Sequence, residues 1–167
     1  MNALALDTAT PYLVLGTLHS ERTLRRGRAH AETLVGDLEN FLVWSGVEPA
    51  ELDLIVVGEG PGSYTGLRVG LATATALARA WDLPLVGVPT LEAVATPPQG
   101  AQVVWPSRNR FGYVLDRPGA PARKEALEAL ADADCRVWAA PPSGRRLARI
   151  GLEAWYSGRK GAEPRYL

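Results

Sequence analysis

The sequence predicts a two-lobed α/β protein with mixed sheets and a reduced second lobe. Three observations predict it. Residues 1–96 read as β-β-β-α-β-α-β-α, with turns in the first third too short to hold a helix. A glycine-rich turn, Gly58-Glu59-Gly60-Pro61-Gly62-Ser63-Tyr64-Thr65-Gly66-Leu67-Arg68-Val69-Gly70, joins an apolar strand to a helix of small residues. Thr96-Pro97-Pro98-Gln99-Gly100 then breaks the pattern, and a shorter β-β-α-β-α series follows. The expected lobes are therefore residues 1–96 and 97–167.

The elements follow in order. Ala3–Leu6 is a short apolar strand ending at the turn Asp7-Thr8-Ala9-Thr10-Pro11. Tyr12–Leu18 and Thr23–Arg28 complete an antiparallel meander, the last polar enough to be an edge. A helix over His30–Trp44 carries Leu34, Leu38, Phe41, Leu42 and Val35 toward one face, and Gly46 stops it. Leu54–Val57 is the strand before the glycine-rich turn, and Leu67–Trp81 the helix after it. Leu85–Val88 is a further strand, with Thr90 as N-cap of a short helix over 91–95. In the second lobe, Gln102–Trp105 and Phe111–Leu115 read as strands, Ala122–Leu130 as helix, Cys135–Ala139 as strand and Gly144–Tyr156 as helix.

Composition excludes several classes. Of 167 residues 47% are hydrophobic, enough for a core, and the formal net charge is zero. A neutral chain is not built to hold nucleic acid by charge alone, so Trp105, Trp138 and Trp155 read as core rather than as base-stacking surfaces. The single cysteine, Cys135, rules out a disulfide framework and a thiolate metal cluster. No apolar run reaches membrane-spanning length and the N-terminus starts as a strand, so the expectation is a cytoplasmic protein.

The glycine-rich turn has the arrangement that gathers amide groups around an anion at a helix N-terminus. Gly60, Gly62, Ser63, Thr65 and Arg68 are its candidate anion- or nucleotide-binding residues, joined by Asp7 and Thr8 at the first strand's corner. It lacks the lysine of a P-loop and the spacing of G-x-G-x-x-G. Asp7 fits either a carboxylate holding hydrated magnesium or a turn closed by its own side chain. His30 and Glu32 open the first helix, but the other histidine, His19, lies on a different element and no metal or catalytic set is evident. Gly66, Gly70, Ala74 and Ala78 recur every fourth residue, flanked by Leu77, as a stripe nowhere larger than methyl. Mid-helix glycine costs up to about 1 kcal/mol, so the stripe implies close approach of another helix. That helix could belong to this chain or to a partner.

Leu4-Ala5-Leu6-Asp7-Thr8-Ala9-Thr10, His30-Ala31-Glu32-Thr33-Leu34 and the Gly60–Gly70 segment, in this order and spacing, resemble the TsaB (YeaZ) family. Pro164-Arg165-Tyr166-Leu167 is similar to its closing segment, whereas Pro106-Ser107-Arg108 stands where an Asp-Ala-Arg-like turn is usual, and the second lobe is short. The resemblance implies an actin/hexokinase-like fold. It also implies a non-catalytic role in making N6-threonylcarbamoyladenosine at position 37 of tRNAs that read codons starting with A. The implied partners are a catalytic TsaD-like subunit, a TsaE-like ATPase, a second copy when the chain is alone, and tRNA only through the complex.

Family members pair through their first two helices. The resemblance therefore implies an interface at Gly66, Gly70, Ala74, Leu77, Ala78, Leu34 and Leu38, which a Leu at Gly70 would loosen while leaving the fold intact. No cofactor is expected in the isolated chain, with ATP or ADP and magnesium entering only in the assembly. The alternatives are an active ATP-dependent transferase or kinase of the same fold, or a glycoprotease-like metallopeptidase. The second lacks support because Leu34 stands four residues after His30, where the catalytic paralogue has a second histidine.

Overall fold

A computed structural model describes residues 1–27, 29–94, 101–106, 111–132, 136–138 and 140–165. The first sheet has five strands in the order β3-β2-β1-β4-β5: β1 Ala3–Asp7, β2 Tyr12–Gly16, β3 Glu21–Arg25, β4 Leu54–Gly58 and β5 Leu85–Val88. The β1–β2 and β2–β3 pairs are antiparallel, and β1–β4 and β4–β5 are parallel. The meander expected from the short turns is present, and the polar third strand is the edge.

Both faces of this sheet are covered, so β1 and β4 are buried throughout and, apart from Asp7 at the end of β1, carry no polar side chain. Helices α1 (His30–Ser45) and α2 (Tyr64–Ala80) cover one face. There Leu4, Leu6, Ile55 and Val57 pack with Leu34, Leu38, Phe41 and Ala74. Gly46, in the left-handed conformation at φ 68°, ends α1 and donates to the carbonyls of Leu42 and Val43. Val35, expected on the apolar face, is 61% exposed. Ser63 caps α2 by accepting from the amide of Gly66, so this helix starts three residues before the expected Leu67.

The second face is covered by a helix from the far end of the chain. After the short α3 (Leu127–Asp132), α4 spans Gly144–Tyr156, and its Leu147, Ala148 and Leu152 pack on Ala3, Ala5, Val56 and Val86. Its approach is very close. A Cβ on Gly151 would lie 2.4 Å from Val56, and one on Gly16 would lie 2.1 Å from the backbone of Gly144. The helix assigned to a second lobe by its place in the sequence thus completes the first. The boundary expected near residue 96 lies outside the described residues.

The second sheet has the order β8-β7-β6-β9: β6 Ala101–Pro106, β7 Phe111–Leu115, β8 Arg123–Ala126 and β9 Arg136–Trp138. Its Val103, Tyr113 and Leu115 pack on Leu91 and Val94, and Trp105 meets Tyr12 edge-to-face at 6.1 Å. Ala122–Leu130, expected as one helix, is divided: Arg123–Ala126 is strand β8, and the helix α3 begins only at Leu127. The Ala, Leu and Glu content favours helix, but β7 supplies ladder partners, and Arg123 bonds Glu125 two residues on, from the same side of a strand. Of the strand expected at Cys135–Ala139, both end residues lie outside the described residues.

Helix α2 shows what its glycines do. Cβ atoms on Gly66 and Gly70 would lie 2.1 Å from the Thr8 carbonyl oxygen and 2.4 Å from Thr8 Oγ1, and Ala74 and Ala78 are buried beside them. The glycines of the stripe lie on Thr8 at the end of this chain's own β1, and its alanines are buried in the core between the sheet and α1. By contrast, a Cβ on Gly36 in α1 would meet nothing within 4 Å. Replacing Gly66 with Ala should cost about 3 kcal/mol, because a backbone oxygen cannot swing away. Replacing Gly36 with Ala should stabilise by up to about 1 kcal/mol. Urea unfolding of the two variants checks both signs.

Candidate functional site

The glycine-rich motif meets the corner that closes β1, and each backbone position there has a steric reason. The Asp7 carboxylate sits where a Cβ on Gly58 would be, 1.9 Å from Oδ2. Asp7 is fully buried. Its Oδ1 accepts from the Ala9 amide at 2.7 Å, and its Oδ2 from the Thr90 hydroxyl at 2.6 Å. The Gly60 amide in turn donates to Thr90 Oγ1 at 3.0 Å. Thr90 is therefore the link between Asp7 and the motif rather than an N-cap. The 3₁₀ turn Thr90–Ala93 starts after Pro89. Burial pushes the Asp7 carboxyl up to about 6, against the lowering effect of both hydrogen bonds.

The same packing continues into α2. Gly62 lies on the Ala9 carbonyl, 2.2 Å from a would-be Cβ, and the Ser63 amide donates to that carbonyl at 2.7 Å. The Thr8 hydroxyl donates to the Gly66 carbonyl at 2.7 Å. Gly60, at φ 90° and next to a cis Gly60–Pro61 bond, rests on Leu67 and the Arg165 carbonyl.

The expected anion-binding set thus divides. Asp7, Thr8, Gly60 and Gly62 are consumed in holding the corner together. The Asp7 carboxylate is fully buried, with one hydrogen bond on each oxygen and Gly58 and Thr90 packed against it. Ser63 is spent as the cap. Thr65 and Arg68 face solvent, and the Arg68 guanidinium lies 5.4 Å from the centre of the Tyr64 ring and bonds its hydroxyl at 3.1 Å. A neutral phenol, not an anion, is the partner the structure gives this helix-start arginine.

The expected interface set is corrected more fully. Gly66, Gly70, Ala74, Ala78, Leu34 and Leu38 are buried within the chain, and Leu77 is half-buried. The exposed positions of the same helices are different residues: Val35, Gly36, Val43 and Trp44 on α1, and Ala72, Ala76 and Ala80 on α2. Leu at Gly70 would strike β1, so it would cost the fold before any association. His30 is also internal. It donates from Nε2 to the Thr10 carbonyl at 3.0 Å, its Nδ1 has no partner, and burial holds its pKa below the usual value. Glu32 and His19 are exposed, and among the described residues no group of three metal-ligating side chains forms.

Glu59 received no role from the sequence, although it stands between two glycines at the end of a fully buried strand. It is 3% exposed. Its Oε2 accepts from Arg159 at 2.8 Å and Arg165 at 3.1 Å, and its Oε1 from the Glu163 amide at 2.9 Å. Gly87 is bare because Glu59 Oε1 lies 1.9 Å from a would-be Cβ. Around this clasp the C-terminal segment runs along the edge of β5. Gly161 donates to Leu85 and accepts from Gly87, and the Arg165 amide donates to the Glu59 carbonyl. No helix is long and apolar enough to cross a membrane among the described residues.

A mixed five-stranded sheet between two helical layers, followed by a second mixed sheet, defines a chain of the actin/hexokinase-like class. The family model described as "TsaD: tRNA N6-adenosine threonylcarbamoyltransferase" matches residues 22–106. The chain is 35% identical over 106 residues to the Escherichia coli tRNA threonylcarbamoyladenosine biosynthesis protein TsaB, covering 60% of this chain and 44% of that one. A Mycobacterium tuberculosis protein is 39% identical over 118 residues, 66% of this chain and 56% of its own length. The solved structure titled YeaZ from Pseudomonas aeruginosa superposes with a TM-score of 0.79 at 22% identity, covering 99% of both chains. A second Pseudomonas aeruginosa structure, of a protein with similarity to peptidase YEAZ, gives 0.83 with the same identity and coverage. The chain belongs to the TsaB (YeaZ) family, within the wider TsaD family. It spans about half the length of the curated relatives it matches.

Two expected outcomes follow from the corner and the clasp. The folded-state pKa of Asp7, about 6, lies above the ordinary 3.8. Between those values the folded chain keeps a proton that the unfolded chain has lost. Asp7 therefore withdraws about 3 kcal/mol of stability as pH rises from about 4 to 6, and nothing more above that. In Asp7→Asn this withdrawal is absent, so variant minus wild-type stability should rise by about that amount between pH 4 and pH 7 in urea titrations. Glu59→Ala leaves two guanidiniums without their buried acceptor. Because both are more than a third exposed, the loss should be about 2 kcal/mol rather than the value for a fully buried pair. Trypsin should then cut after Arg159 and Lys160 faster than in the wild type.

Proposed function

We propose that this chain is a non-catalytic subunit in the making of N6-threonylcarbamoyladenosine at position 37 of tRNAs reading codons that start with A. It acts by binding a TsaD-like catalytic subunit. The observation that carries this reading is the solvent face of α1. Val35, Val43 and Trp44 are 61%, 84% and 56% exposed there, and Gly36 lies between them with open space above it. A helix that spends glycine on an outward face loses stability for no internal return, so a close neighbour chain is the physical reason for it. On α2 the small residues Ala72, Ala76 and Ala80 are also exposed and would let a partner helix approach at the short end of about 8–10 Å. The names of the Escherichia coli and Bacillus subtilis relatives support the pathway.

In this reading the same face pairs with a second copy when no TsaD-like chain is present. A TsaE-like ATPase joins the complex, and nucleotide and magnesium belong to the assembly. The sealed Asp7 corner counts against ATP turnover by the chain alone.

Val43→Glu should fold normally by circular dichroism and lose association with a TsaD-like subunit by at least about tenfold, equivalent to about 1.4 kcal/mol, in sedimentation. In a strain depleted of this protein, nucleoside mass spectrometry should show loss of threonylcarbamoyladenosine, restored by the wild type and not by Val43→Glu. Full restoration by the variant removes the α1 face from the reading, and unchanged modification on depletion removes the function.

A further inference from the structure

We propose that the cleft beneath the C-terminal segment contacts the phosphodiester backbone of single-stranded or loop RNA. It is about 520 Å³ in volume, and its side chains include Glu59, Arg159, Lys160, Glu163 and Arg165. That RNA should be the ligand rests on the function proposed above. The site itself rests on geometry.

Arg159 and Arg165 converge on one oxygen of the buried Glu59, each through a single nitrogen. The Glu59 carboxylate accepts these two bonds and one from the Glu163 amide, and the cleft as a whole sets Arg159, Lys160 and Arg165 against two carboxylates, Glu59 and Glu163, a surplus of one positive charge. Each guanidinium keeps unpaired donors among the described residues. A fork held from behind by a fixed carboxylate has already lost much of its rotational freedom, so less is lost when a phosphate binds in front. Lys160 is placed differently. Its Nζ lies 5.9 Å from the centre of the Trp155 ring, and among the described residues no carboxylate pairs with it. Next to Trp155, Tyr156 ends α4 at 74% exposure.

A cationic surplus that follows an exposed ring, Tyr156 standing three and four residues before Arg159 and Lys160, fits a polynucleotide better than an acidic peptide, because that ring can add base stacking to backbone charge; Trp155 packs on the core instead. Phosphate oxygens on a free nucleotide would use the same donors, but the cleft offers no glycine-rich amide cradle for a polyphosphate. Zero net charge on the chain makes the contact weak alone, suited to adding affinity within a larger assembly.

The test is fluorescence anisotropy of a labelled stem-loop RNA of about 17 nucleotides with the full chain, at about 20 to 200 mM salt. About three phosphate contacts predict a log–log salt slope near −2. Lys160→Glu, outside the Glu59 clasp, should weaken binding about tenfold at low salt and reduce the slope by about 1. Tyr156→Ala should weaken binding several-fold and leave the slope unchanged.

The proposal is overturned by any of three results: no saturable binding at the lowest salt, Lys160→Glu binding like the wild type, or a decaglutamate peptide binding as tightly as RNA. ATP binding more tightly than the RNA and displacing it assigns the donors to a free nucleotide, which also overturns it. Association of Lys160→Glu with the TsaD-like subunit, measured on the same preparation, separates the two readings. Loss of RNA binding with association intact bears on this site alone.

Discussion

The structure depends on one close approach: the glycine-rich motif lies on the backbone corner that ends β1. Gly58 makes room for Asp7, Gly62 for the Ala9 carbonyl, Gly66 for the Thr8 carbonyl and Gly70 for the Thr8 hydroxyl. Four bare positions let a strand end and a helix N-terminus approach to distances no side chain allows. Those distances are what make the hydrogen bonds Ser63 to Ala9, Thr8 to Gly66 and Thr90 to Asp7 short and buried. The glycines forfeit helix propensity, and the bonds and the packing of Ala74 and Ala78 on the sheet offset it. A loop shape associated with phosphate binding here serves to fasten α2 to the sheet. The Gly60, Ser63 and Gly66 amides and the Ser63 hydroxyl oxygen are all engaged within the chain.

The clasp at Glu59 extends the same logic to the chain's far end. The motif residue between Gly58 and Gly60 turns to the opposite side and fixes Arg159, Glu163 and Arg165. One turn therefore ties together β1, α2, the edge strand β5 and the last described residues. The segment beside β5 also covers a sheet edge that would otherwise present unpaired amides. With α4 packed on the second face, the first sheet is built from both ends of the sequence. Its middle, residues 101–138, supplies the second sheet.

The meander, α1, β4, α2 and β5 were legible because period and punctuation act locally. Continuous apolar runs gave β1 and β4, the Leu34-Leu38-Phe41 spacing gave the inner face of α1, and Gly46 gave its end. Long-range packing was not legible. The helical pattern over Gly144–Tyr156 was correct in extent, yet nothing within it names the sheet it covers. That depends on Ala3, Ala5 and Gly16, more than a hundred residues away. At β8, intrinsic propensity pointed to helix and a neighbouring strand overruled it. Glu59 escaped notice because a buried carboxylate is explained only by its partners, and these are Arg159 and Arg165, a hundred residues on.

The stripe Gly66-Gly70-Ala74-Ala78 shows why a small-residue face cannot by itself be assigned to an interface. Spacing establishes close approach and leaves the neighbour's identity open. Here the neighbour of the two glycines is Thr8, just past β1, whose carbonyl and hydroxyl occupy the missing Cβ volume. The discriminating quantity is what a Cβ would meet. At Gly66 it is backbone within the chain, and at Gly36 it is open space. Both glycines stand in helices on the same side of the sheet. Only the second lacks an internal reason, and it lies among exposed Val35, Val43 and Trp44. The buried glycines are accounted for by the fold, whereas at the exposed one nothing within the described chain fills the missing Cβ volume.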